Sequence, residues 1–73
     1  MFFVLLKDTK YKIYEIRFFQ PISYRIYYYI SNKTRNIYLV HAFPKGKDRD
    51  NYNGVKIAED RITSIIKMEE NKC

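Results

Sequence analysis

The sequence predicts an α+β fold: a small antiparallel sheet of three to four strands with one C-terminal helix packed across it. Three observations carry this. Consecutive segments between Tyr11 and Phe43 are rich in β-branched and aromatic residues and are joined by short polar connections, as in an antiparallel meander. Beyond them the apolar period lengthens, with Val55, Ala58, Ile62, Ile65 and Ile66 on one helical stripe. A chain of 73 residues has room for one domain, 1–73.

Phe2 to Lys7 is apolar but too short for periodicity to separate an edge strand from a helical turn. Asp8-Thr9-Lys10 is polar and reads as a turn. Tyr11 to Phe19 reads as a strand and stops at Gln20-Pro21, because proline cannot donate to a ladder. Ile22 to Ile30 is the second clear strand, Ser31 to Arg35 a polar hairpin loop, and Asn36 to Phe43 the third strand. Pro44 to Asn53 reads as a loop, with seven charged or amide-bearing positions. The helix is expected from Gly54 or Val55 to about Met68, with Asn51 or Asn53 as N-cap. Residues 69–73 read as a frayed tail.

The net charge is +6, and its distribution is uneven. Met1 to Lys47 holds nine cations and two carboxylates, whereas Asp48 to Cys73 holds five cations and six carboxylates. A one-sided basic surface attracts phosphate. The single cysteine, Cys73, excludes an intramolecular disulfide and a cysteine metal cluster, which fits a cytoplasmic location. Phe2 to Leu6 lacks the flanks of a secretion signal and is far too short to span a membrane, so no membrane partner is expected. Glu15, Asp48 and Asp50 lack a diagnostic metal-ligand spacing, and neither a metal nor another cofactor is expected.

Strand alternation sorts candidate residues by face. Tyr24, Ile26, Tyr28 and Ile30 point one way, and Tyr24, Ile26 and Tyr28 are assigned to the core; Ser23, Arg25, Tyr27 and Tyr29 point the other. Glu15, Arg17 and Phe19 oppose Ile16 and Phe18, and Ile37, Leu39, His41 and Phe43 oppose Tyr38, Val40 and Ala42. Arg17 and Arg25 are polar members of apolar runs, which places them on a partly open, functional face. Their cations suit phosphate, Tyr27 and Tyr29 suit base stacking, Lys45 and Lys47 suit RNA contacts, and His41 suits proton transfer near neutral pH. The structural alternatives are equally concrete. His41 can pack beside Phe43, the arginines can pair with Glu15 across strands, and the lysines can belong to a solvated loop. One glutamate is expected to satisfy one arginine and leave the other available, with Arg25 favoured for function.

The chain resembles the RelE/HigB toxin superfamily, in particular its phage-derived HigB-like branch, over about Lys12 to Ile66. The matching elements are Glu15-Ile16-Arg17, then Tyr24-Arg25-Ile26-Tyr27-Tyr28. Leu39-Val40-His41-Ala42-Phe43 follows with Lys45 and Lys47, and a closing helix carries Ala58 and Arg61. The resemblance implies a metal-independent mRNA endoribonuclease of a toxin–antitoxin system that acts at the ribosome and is held in check by a cognate antitoxin. Arg17 and Arg25 become phosphate clamps, Lys45 and Lys47 hold RNA, and His41 takes the acid–base role.

The chain departs from this pattern at two places. Only about ten residues precede the arginine strand, where relatives carry a strand and a helical hairpin, so the domain reads as shortened. Met68 to Cys73 holds neither the tyrosine nor the histidine that many relatives place after the last helix. These departures support an alternative function: a non-catalytic basic module that blocks a host protein, nucleoprotein or nucleic acid. A sheet without the hairpin exposes apolar surface that a second copy can cover, giving a homo-oligomer.

Overall fold

Residues 2–44 and 48–71 are described by a computed structural model. They form β1 (Phe2–Leu5), β2 (Tyr14–Phe18), β3 (Tyr24–Ile30), β4 (Ile37–Pro44) and α1 (Asp48–Asn71). The four strands lie in sheet order β1-β2-β3-β4, antiparallel throughout. The expected α+β meander with one C-terminal helix is therefore the fold, and the ambiguous N-terminal segment is its edge strand.

The helix is longer than the sequence reading made it. It starts at Asp48 rather than Gly54 or Val55 and continues through Asn71 rather than stopping near Met68. Charged and amide residues are common both in loops and in first helical turns, so composition from Asp48 to Asn53 did not distinguish the two. At the other end, Glu69 is buried rather than part of a loose tail. Its carboxylate accepts bonds from Ser31 (2.8 Å), Thr34 (2.9 Å) and Tyr38 (3.1 Å), and its carbonyl accepts one from Lys33 Nζ at 2.8 Å. Burial alone pushes the Glu69 pKa up, but these hydroxyl bonds and the Lys33 charge outweigh it and hold it below the usual value. The helix C-terminus is thus fastened to the β3–β4 turn.

Other ties fix the helix along its length. Glu59 accepts a bond from the Lys10 backbone at 2.7 Å, and Thr63 meets the Tyr11 hydroxyl at 2.7 Å. These hold the β1–β2 connection against the middle of α1. A bulge in β4 creates a further tie. Tyr27 pairs with His41 but Tyr28 pairs with Leu39, so Val40 has no partner in the β3–β4 register. Arg61 Nη1 donates to the Val40 carbonyl at 2.6 Å, satisfying an acceptor at the irregularity.

The bulge and the helix together correct the face assignment. α1 packs on β3 and β4, burying Tyr27, Tyr29 and Val40 with Ile13, Ala58 and Ile62. Tyr28 and Ile26, assigned to the core from alternation, lie on the face away from the helix. β3 is apolar on both sides, so its pattern did not mark which side the helix would take. In β4 the extra residue breaks the period of two: His41 and Phe43 face the helix with Tyr27 and Arg25, while Ile37 and Leu39 face away with Ile30 and Tyr28.

Candidate functional site

Because α1 covers only the β3–β4 half of its face, the β1–β2 half remains a cleft of about 500 Å³. Glu15, Arg17, Arg25 and Tyr27 line it from the sheet, Leu6 to Thr9 from the β1–β2 connection, and Tyr52, Val55, Lys56 and Glu59 from the helix. Register puts Arg17 directly opposite Arg25, and Glu15 opposite Tyr27. Like charges opposed across strands repel; here a shared anion offsets that repulsion.

The anion is Glu15, which is fully buried. Its Oε1 accepts from Arg17 Nε at 2.5 Å, and its Oε2 accepts from Arg25 Nη1 at 3.3 Å. The expectation that one glutamate would leave an arginine unpaired is therefore corrected: the carboxylate has two oxygens, and each takes one guanidinium. A buried carboxylate requires such partners, since an unpaired buried charge is costly. The result is a triad with one excess positive charge. Each guanidinium carries five donors, so one bond to Glu15 leaves capacity for an anionic ligand. The Arg17 side chain is 36% exposed and that of Arg25 15%, so Arg17 is the more accessible of the two. Lys7 and Lys56 add cations at the rim, against Asp8 and Glu59.

Tyr27 forms the back of this cleft, and its pKa is raised, first by burial and then by the Glu15 charge, with Arg25 and Arg17 acting oppositely. Tyr27 and Tyr29 are both buried. The expected base-stacking role for these two rings is corrected accordingly: their faces are occupied by protein. Tyr29 lies between Tyr11 and the helix, away from the arginines. The exposed aromatic of the cleft is Tyr52, with Lys56 Nζ 5.8 Å from its ring centroid. The sequence reading missed Tyr52 and Lys56. Tyr52 lies in the stretch whose composition reads as a loop; the signal that marks the pair is their spacing of four on one helix, which depends on α1 starting at Asp48.

His41 lies apart from the arginine cleft, in a recess of about 270 Å³ with Phe43, Pro44, Asn53, Gly54 and Ile57. It stacks on Phe43 at 5.2 Å between ring centroids, and Phe43 meets Tyr27 edge-on at 5.2 Å. His41 is the cross-strand partner of Tyr27, yet its recess and the arginine cleft share no lining residue. Burial lowers the His41 pKa, and the Arg61 charge lowers it further. Gly54 lets the helix approach at this point: a Cβ there would lie 3.1 Å from Phe43 Cε1 and 3.2 Å from His41 Cδ2.

Of the sequence-predicted residues, the structure thus brings together Arg17, Arg25 and Tyr27, sets His41 next door, and buries Tyr29 under the helix. Lys45 and Lys47 lie outside the described residues. Among the described residues no group of three or more His, Cys, Asp or Glu side chains is arranged to hold a metal ion, and no helix is long and apolar enough to cross a membrane.

The fold and cleft define a small α+β protein with an arginine-lined cleft beside a single packing helix. The sequence pattern of the phage-derived protein Gp49-like family (DUF891) matches residues 3–63, and the chain belongs to that family. The match runs from β1 into α1 and includes every residue of the arginine cleft. No curated protein and no solved structure matches the chain.

Proposed function

We propose that this chain is a toxin-like relative of the RelE/HigB ribonucleases, holding RNA phosphate in the arginine cleft and cutting mRNA at the ribosome. One observation carries the reading: Arg17 and Arg25 are fixed side by side on a buried Glu15, facing a cleft large enough for a nucleotide. Paired guanidiniums match the geometry of phosphate oxygens. Membership of a phage-derived family and the motif order shared with RelE/HigB toxins support the toxin-like role.

The reaction needs no metal in this reading. The 2′-hydroxyl of the RNA attacks the adjacent phosphorus, the 5′-oxygen leaves, and a 2′,3′-cyclic phosphate forms. Arg17 and Arg25 stabilise charge developing on the phosphate oxygens. Tyr52 offers a ring for a base, Lys56 a further phosphate contact, and Lys45 and Lys47 hold neighbouring phosphates. His41, whose pKa is held below the usual imidazole value by burial and by the Arg61 charge, is the candidate proton acceptor for RNA that extends into its recess. A cognate antitoxin and a cytoplasmic site of action belong to the same proposal.

The position of His41 favours a second reading, a binding module without catalysis, because His41 lines a recess that shares no residue with the arginine cleft. Such a module blocks a nucleic acid or a host nucleoprotein. Purified protein added to a translation reaction separates the two. The ribonuclease yields truncated mRNA with cyclic phosphate ends. Intact message together with tight, salt-sensitive RNA binding assigns the binding module instead.

A further inference from the structure

The sheet face turned away from α1 points to an interface between two copies of this chain. Along all four strands every residue on that face is uncharged, from Phe3 on β1 through the stacked Tyr14 and Tyr28 to Ile37 and Leu39 on β4. Among the described residues no helix covers it: α1 packs on the opposite side. Phe3 is 64% exposed, Ile37 65% and Leu39 71%. Isolated exposed apolar residues are ordinary, whereas a continuous apolar sheet face is not.

We propose that a second copy of this chain covers this face, giving a twofold dimer of two sheets packed back to back. Area supports that occupant. Aromatic side chains bury about 150–250 Å² each and aliphatic ones less, so the strongly and partly exposed residues of this face present on the order of 700 Å². A specific interface takes roughly 800 Å² from each partner. Charge supports it as well. The chain carries a net charge of +6, and its cationic cleft lies on the helix side. Contact through the uncharged face lets two identical basic molecules meet without opposing cations. Architecture is the third argument: one apolar sheet face packs on another at about 10 Å, and an isologous pair supplies that surface from the same residues. Both arginine clefts then face outward, so the dimer does not depend on the RNA reading.

Sedimentation velocity over a dilution series tests this on the full chain, on Leu39→Asp, and on Met68→Asp. Met68 is exposed on the helix, away from the sheet face. The wild type and Met68→Asp are expected at twice the 9.0 kDa chain mass. Leu39→Asp is expected to dissociate at least about 100-fold more readily, because two copies of a new carboxylate are desolvated at the contact. A wild type that stays monomeric throughout overturns the proposal. So does a folded Leu39→Asp that still dimerises. Should Leu39→Asp unfold, the wild-type melting temperature decides: a rise with protein concentration upholds the dimer, and a concentration-independent melt overturns it.

Discussion

At the scale of single residues, Glu15 determines how the arginines must be tested. Each arginine is at once a candidate phosphate ligand and a structural partner of a buried carboxylate. Arg25→Ala removes one partner, so it is expected to destabilise the fold by about 2 kcal/mol as well as weaken RNA binding. Urea midpoints check the first effect. Adding Glu15→Gln to Arg25→Ala is expected to recover much of the stability, because the buried charge goes with its partner, but not the RNA affinity. His41 offers an independent test through pH. Burial holds its folded pKa below the unfolded value near 6.5, so the unfolded chain takes up its proton first as pH falls. Its contribution is therefore present above the unfolded pKa and lost as pH drops through the folded one. Glu69, also lowered, acts in the same direction but at more acidic pH. Melting temperature is expected to fall from about pH 6.5 downward, and His41→Gln to flatten the upper part of that fall without changing the part governed by Glu69. An unchanged profile in His41→Gln would contradict the burial argument.

At the scale of elements, the contact between α1 and β4 sets where the candidate groups stand. Gly54 brings the helix onto the His41–Phe43 stack, and Arg61 reaches the Val40 carbonyl at the bulge. Phe43 is boxed between His41 and Tyr27, so its ring has little room to yield. Gly54→Val is expected to cost about 1–3 kcal/mol through overpacking, despite removal of a mid-helix glycine. Thermal unfolding beside Lys56→Val, on the exposed side of the same helix, measures the difference; equal stability of the two variants would show that the close approach is not needed. The elements themselves were legible in the sequence because apolar period separates strand from helix. The start of α1 was not, since Asp48 to Asn53 carries residue types shared by loops and helix N-termini. Nor was the β4 bulge, because a single extra residue leaves no compositional mark while inverting the faces of everything beyond it.

At the scale of the whole molecule, two sheet faces do different things. One carries α1 over half its width and leaves Arg17, Arg25 and Glu15 in a cleft; the other is uncharged and uncovered. The sequence reading placed Arg17, Arg25 and Tyr27 correctly on one face, since alternation fixes which residues share a side. It chose the wrong side for the helix, because Tyr27, Tyr28 and Tyr29 make both sides of β3 apolar and nothing local ranks them. The arginine pair was likewise visible as two charges in apolar runs. Their sharing of one buried carboxylate depends on strand register, which only the assembled sheet defines. Tyr52 and Lys56 are hidden by the ambiguous start of α1, and they join the cleft only once that helix is laid across β3 and β4.

The claim that the cleft engages RNA is tested most directly by the salt dependence of single-stranded RNA binding, measured for the wild type and for Lys56→Ala. Lys56 lies at the cleft rim on the exposed side of α1, so its loss leaves the Glu15 triad and the core in place. If RNA lies in the cleft, Lys56→Ala is expected to weaken binding and to reduce the slope of log K against log salt by about one, with unchanged melting. Lys67→Ala, farther along the exposed side of the helix and outside the cleft, removes the same charge and is expected to leave the slope close to that of the wild type. Identical slopes for Lys56→Ala and Lys67→Ala, or no salt-dependent RNA binding by the wild type, would contradict the arginine cleft as the RNA site.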